Sequence, residues 1–151
     1  MWNRKKSIYV SIAVCWFILA ALILIAILAP FFLKDFYMLF GGRIPSDHLD
    51  YVILGCYYPC AAFGILADVT LLKMLSRIEK DNPFCKENVE ALRVISVCCF
   101  TVGLITFLGS FSYRPFFFVA SAALFVGLIL RVVKNVMQTA VEMREENDLT
   151  I

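Results

Sequence analysis

Residues 94–130 read VISVCCFTVGLITFLGSFSYRPFFFVASAALFVGLIL, 37 residues broken by a single charge, Arg114. A bilayer crossing needs about 20 predominantly apolar residues. This stretch is too long for one crossing and fits two joined by a tight turn. Gly109, Ser110, Ser112, Arg114 and Pro115 supply the turn chemistry at its middle. The same reading extends outward. Ser7–Leu33 runs 27 residues without a charge, longer than a signal peptide's apolar region and lacking a small-residue cleavage site. Tyr51–Leu72 is interrupted only by Asp68. In lipid every backbone polar group must be satisfied within a helix or a closed barrel, and these runs lack barrel alternation. The expected fold is all-α: an integral membrane four-helix bundle, one domain over 1–151, with spans at about 8–33, 51–73, 92–112 and 115–133.

Hydrophobic residues make up 62% of the chain and charged residues 17%, against about 25% charged in soluble domains. The charges are unevenly placed. Arg4, Lys5 and Lys6 precede the first span. Lys73, Arg77, Lys80, Lys86 and Arg93 lie around the connection between the second and third. Arg131, Lys134 and Arg144 follow the fourth. Only Lys34, Arg43 and Arg114 fall on the other side. The positive-inside rule then puts both termini and the middle connection in the cytoplasm. The net charge of +2 is a topology signal, and direct nucleic-acid binding is not expected. Five of the six cysteines (Cys15, Cys56, Cys60, Cys98, Cys99) fall within spans, and Cys85 lies in the middle connection. With no Cys-x-x-Cys and His48 the sole histidine, they read as small packing residues. No metal site, cofactor or enzymatic constellation is expected.

Asp68 is the one acid inside a span, and an intramembrane ionisable residue is a functional candidate by default. It lies about five residues from the end of its span, where Lys73 or Arg77 is a candidate ion-pair partner; a ligand or proton role is the alternative. Cys56, Cys60, Gly64 and Asp68 form a stripe of small residues ending in the acid. Cys99, Gly103, Thr106 and Ser110 form another, and Ala120, Ala123 and Gly127 a third. Small residues let membrane helices approach closely, so these faces are expected to meet in the core. Pro59 should bend the second helix, and Pro30 should bend or end the first.

In the middle connection, Asn82 suits an N-cap and Pro83 a first helical position. A helix is therefore expected from Pro83, with Glu87 in its early turn, and Lys86–Glu90 and Glu90–Arg93 spaced to pair. Beyond Val132, apolar residues at Val133, Val136, Met137, Ala140, Val141 and Met143 describe an amphipathic helix. It would carry the fourth span two to three turns into the cytoplasm, within a segment 134–151. Its last turn, with Glu142, Glu145 and Glu146, is acidic where the helix dipole favours cations. Cations from a partner, or from the chain's own basic connection, would offset this. The 34–50 connection carries interface aromatics, or a small ligand cup built from Arg43, Asp47, His48 or Asp50.

Two polar segments carry a family resemblance: Arg77-Ile78-Glu79-Lys80-Asp81-Asn82-Pro83-Phe84 with Asn88-Val89-Glu90-Ala91-Leu92-Arg93, and Met143-Arg144-Glu145-Glu146-Asn147-Asp148-Leu149-Thr150-Ile151. Together with four spans in matching order, they resemble the bacterial membrane family catalogued as domain of unknown function 2975. That family has no assigned activity. Its members are often encoded beside a small helix-turn-helix regulator. The resemblance implies a multi-pass protein of the bacterial cytoplasmic membrane that holds or modulates such a regulator. Partner-binding candidates are Asn82, Pro83, Phe84, Glu87, Glu145, Glu146, Asn147, Asp148, Leu149, Thr150 and Ile151, the acidic end complementing a basic DNA-binding domain. The alternative is a small-ligand transport or immunity protein using a cavity around Asp68, with Arg77 as its ion-pair partner. Homo-oligomerisation through the small-residue faces is a further expectation.

Overall fold

Four helices account for the computed structural model: α1 (Arg4–Phe40), α2 (Asp47–Glu79), α3 (Lys86–Gly109) and α4 (Phe116–Leu149). The structure describes residues 4–40, 47–80 and 83–149, with side chains described for 6–29, 31, 52–80 and 83–147. All four helices are long and apolar enough to cross a membrane, and the chain is a multi-pass membrane protein. Their outer surfaces would be untenable in water. Phe17 is 76% exposed, Phe118 77% and Phe125 65%, part of an apolar exterior far larger than soluble proteins display.

Packing runs in chain order. α1 packs on α2, α2 on α3 and α3 on α4, while α1 and α4 make no close approach among the described residues. Neighbours are antiparallel. Cys15 of α1 meets Asp68 of α2, Cys56 of α2 lies beside Gly109 of α3, and Cys99 of α3 lies beside Gly127 of α4. The start of α1, the end of α4 and the α2–α3 connection therefore share one end of the bundle, which also holds most of the basic residues. α3 is the central helix. Asn88, Ala91, Leu92, Ile95, Ser96, Gly103, Thr106 and Gly109 are all buried, the i, i+3, i+4 recurrence of a helix covered by neighbours.

The α3–α4 contact is the tightest. A Cβ at Gly103 would stand 2.8 Å from Cγ and Cδ2 of Leu124, and one at Gly127 would stand 3.4 Å from Cβ of Cys99. At Gly103 any larger residue must displace Leu124, whereas at Gly127 an added Cβ would stand at ordinary contact distance. The buried Ser96 hydroxyl donates to the Gly127 carbonyl at 3.0 Å, an interhelix bond made possible by that approach.

Several boundaries differ from the sequence expectation. α3 begins at Lys86, with Cys85 extended at the cap position (φ −132°, ψ 153°), and not at Pro83. The Asn88 side chain donates to the Pro83 carbonyl at 2.9 Å, holding Pro83-Phe84-Cys85 as a turn ahead of the helix. α3 also stops at Gly109, where the Ser110 N–H bonds back to Thr106 and Phe107 and the Ser112 and Tyr113 N–H groups bond to Gly109. α4 continues unbroken to Leu149, which makes the segment after residue 133 about four turns long. α1, for its part, runs past Pro30 to Phe40.

Candidate functional site

The two polar segments singled out by sequence meet at the end that carries the start of α1 and the end of α4. Their link is an ion pair: Lys86 Nζ lies 2.8 Å from Glu145 Oε1. Lys86 thus reaches across to α4 instead of along its own helix to Glu90, which pairs with Arg93 at 3.7 Å. Beneath this link, Val141 is 5% exposed, Leu92 3% and Asn88 fully buried. The α4 extension is therefore docked on the first turns of α3. Its acidic last turn finds a cation there, which offsets the unfavourable dipole.

Only one face of the extension is used in docking. Lys134, Met137, Ala140 and Val141 turn inward. Val132 (63% exposed), Val136 (66%) and Met143 (57%) form a second apolar line at i, i+4 and i+11 that stays exposed among the described residues. Phe84, in the turn before α3, is 47% exposed. Glu87 sits in the first turn of α3, its carboxylate met by its own N–H and by the Cys85 thiol, with Arg77 near enough to interact electrostatically. Glu145, Glu146 and Asn147 are exposed on the last turns of α4. Asn82, Thr150 and Ile151, and the side chains of Asp148 and Leu149, lie outside the described residues. So do Arg43 and the side chains of Asp47, His48 and Asp50, the proposed cup.

Asp68 is 7% exposed and faces α1, where the Cys15 thiol meets its carboxyl. Its Oδ2 is buried without a hydrogen-bond partner. No ion pair joins it to Arg77 among the described residues. The reason is rotation: nine residues at about 100° each place Arg77 roughly 180° around α2 from Asp68. The α2 stripe also divides. Gly64 faces Leu22 of α1, whereas Cys56 faces Gly109 of α3. A four-residue repeat drifts about 40° per step on a 3.6-residue helix, so a single stripe serves two neighbours in turn.

Sequence reasoning missed a cavity in the other half of the membrane region. It encloses about 660 Å³ and draws its walls from all four helices, including Ile25, Ile53, Cys60, Thr106 and Val119. Asp68 is not among the residues lining it. Cys56 and Cys60 are, together with Tyr57, whose hydroxyl is buried without a partner. The stripe Cys56–Cys60 pointed to this region, but nothing in the spacing showed that the facing helices leave a gap there.

No curated protein and no solved structure matches the chain. A family model described as a protein of unknown function, DUF2975, matches residues 43–151. The match takes in α2, α3 and α4 with both polar segments, and α1 lies outside it. On that coverage, and with four membrane helices in the expected order, the chain belongs to the DUF2975 family.

Proposed function

We propose that the chain is a membrane-embedded regulatory protein whose α2–α3 connection and α4 extension together bind a cytoplasmic helix-turn-helix regulator. One observation carries the reading. The Lys86–Glu145 pair fastens the two segments into one surface, and that surface leaves Phe84, Val136 and Met143 uncovered beside the acids Glu142, Glu145 and Glu146. Apolar anchors rimmed by charge are the usual make-up of a protein-binding patch. Glu142 and Glu146, on the last turns of α4 beside the Lys86-paired Glu145, would complement basic groups on a DNA-binding domain. The excess of Lys and Arg near this end supports its placement in the cytoplasm of a bacterial cell.

The test is co-purification, from native membranes, of the regulator encoded by the adjacent gene. Replacing Phe84 and Met143 with Ser, or deleting residues 145–151, should each reduce recovery at least about tenfold, as removal of a buried anchor does. Wild-type recovery in both variants refutes the reading. A second reading, small-ligand transport or immunity through the bundle, draws support from the 660 Å³ cavity. Its walls are set by Cys56, Cys60 and Thr106 instead of Asp68.

A further inference from the structure

The lipid-facing side of α2 ends in positive charge. Exposed residues recur along it at Gly55, Ala62, Leu66, Lys73 and Lys80, steps of seven and four that keep to one face of a helix. The first part of this line is apolar and low. A Cβ at Gly55 would meet nothing within 4 Å, Ala62 is small, and Leu66 is 48% exposed. Lys73, Arg77 and Lys80 then follow at i, i+4 and i+7, within about 60° of arc. Asp68 faces α1, and Lys73 lies about 140° around α2 from it, so the basic line is turned away from α1. From Val52 to Lys73 is about 30 Å along the helix, the thickness of the hydrocarbon core. Lys73 to Lys80 adds about 10 Å, which carries the three cations through the headgroup layer. Other basic groups at this end have acids of the chain to meet: Lys86 pairs with Glu145 and Arg93 with Glu90. Among the described residues no ion pair includes Lys73, Arg77 or Lys80. Glu87 acts on Arg77 only electrostatically. Glu79, the acid of the same turn, lies toward α1, where it meets the Tyr9 hydroxyl.

We infer that this side of α2 binds an anionic phospholipid of the adjoining leaflet. An acyl chain lies along Leu66, Ala62 and Gly55, and the phosphate sits among Lys73, Arg77 and Lys80. The aliphatic stems of the lysines lie along the apolar face and their ammonium groups reach into the headgroup layer. Surrounding lipid is as apolar as this face, so chain contact contributes little preference. Selectivity rests on net charge. A phosphatidylcholine phosphate arrives with its own cation, whereas an anionic lipid supplies the counter-charge that the chain does not. The inference does not rest on the regulator reading, whose surface is formed by Phe84 and the α4 extension.

The experiment is native mass spectrometry of the full chain in detergent, titrated with phosphatidylglycerol and phosphatidylcholine of matched acyl chains. The wild-type chain should bind the first phosphatidylglycerol in clear preference to phosphatidylcholine. Each lysine should contribute about fivefold to that preference, so Lys73→Gln with Lys80→Gln should lower it about 25-fold. Lys73→Arg with Lys80→Arg keeps the charge and should retain it. Lys6→Gln with Arg131→Gln removes the same charge from exposed positions on α1 and α4 and should change it less than about twofold. All these positions lie on the surface, where substitution disturbs folding little. Equal losses in the two Gln pairs would reduce the preference to diffuse charge and overturn the inference. So would a wild-type chain that binds both lipids alike. Displacement of phosphatidylglycerol by millimolar inorganic phosphate would assign the three cations to a soluble anion and equally overturn it.

Discussion

Gly103 offers the sharpest test of how α3 and α4 meet. An Ala methyl there would stand 2.8 Å from both Cγ and Cδ2 of Leu124 and 3.4 Å from the Leu124 backbone nitrogen. Carbon atoms in favourable contact sit at about 3.5–4.0 Å, so roughly 0.7–1.2 Å must be found. Leu124 can change rotamer, but its branch point is itself too close, and the backbone nitrogen behind it limits the retreat. The remaining route is to move the helices apart. That lengthens the Ser96–Gly127 bond from 3.0 Å past the range in which it counts as a bond. Overpacking costs about 1–3 kcal/mol, and an interhelix bond in membranes contributes about 0.6 kcal/mol on average.

Spanning helices stay helical when they separate in lipid, so alanine's higher helix propensity is present in both states and cancels. Gly103→Ala is accordingly expected to destabilise helix association by about 2 kcal/mol. Gly55→Ala, where nothing lies within 4 Å, should stay within about 0.5 kcal/mol of wild type. The assay is reversible unfolding in mixed micelles by denaturing-detergent titration, followed by tryptophan fluorescence and near-ultraviolet circular dichroism. Adding Leu124→Ala to Gly103→Ala should recover at least about 1 kcal/mol relative to additivity. Equal behaviour of Gly103→Ala and Gly55→Ala, or strict additivity with Leu124→Ala, would refute the close approach.

Arg77→Gln should leave stability within about 0.5 kcal/mol in the same titration, because Arg77 lies on the opposite side of α2 from Asp68; a loss of about 3–5 kcal/mol, the cost of breaking a buried pair, would restore the ion-pair assignment. Asn88→Ala removes the bond to the Pro83 carbonyl from a fully buried position and should cost about 1–3 kcal/mol, with faster proteolysis of the connection between α2 and α3; wild-type proteolysis rates would contradict its anchoring role. Glu145→Lys should raise amide hydrogen exchange along the α4 extension, and Lys86→Glu with Glu145→Lys should restore protection. Because the pair is exposed, the difference should shrink in high salt, and a salt-independent difference would argue against an electrostatic link.

Much of the fold was legible because the bilayer leaves few options. The 37-residue run 94–130 could only be two helices and a turn, and it is. The α3 and α4 stripes marked a contact face, since Gly103 and Gly127 lie where these helices touch, whereas the α2 stripe divides between α1 and α3 and leaves Cys60 on the cavity. What the sequence could not carry was the choice among competing partners. Lys86 had Glu90 one turn away and took Glu145 instead, a contact that exists only because α4 runs on as an unbroken helix. Pro83 satisfied every local rule for a helix start, yet the Asn88 side chain claims its carbonyl and delays the helix to Lys86. The cavity was illegible for a related reason: each of its walls is an ordinary apolar segment, and the gap is a property of their spacing.

The division of the α2 stripe has a consequence for α1. Gly64 and Asp68 serve α1, through Leu22 and Cys15, whereas Cys56 serves α3. α1 touches no other helix among the described residues, and it lies outside the family match. It nonetheless performs two tasks that α2–α4 cannot perform alone. It covers the Asp68 carboxyl, which would otherwise face hydrocarbon, where an uncovered ionisable group is costly. It also supplies the Ile25, Leu28 and Ala29 wall of the cavity. A helix held on one side only, closing a cavity and capping a polar group, is the element that can shift with least disruption of packing elsewhere. The α3–α4 pair, locked by glycine contacts in the membrane and by Lys86–Glu145 at its end, is the rigid part. A displacement of α1 reaches the α3–α4 pair through α2, the one helix packed on both, whereas the cavity also borders α3 and α4 directly through Thr106 and Val119.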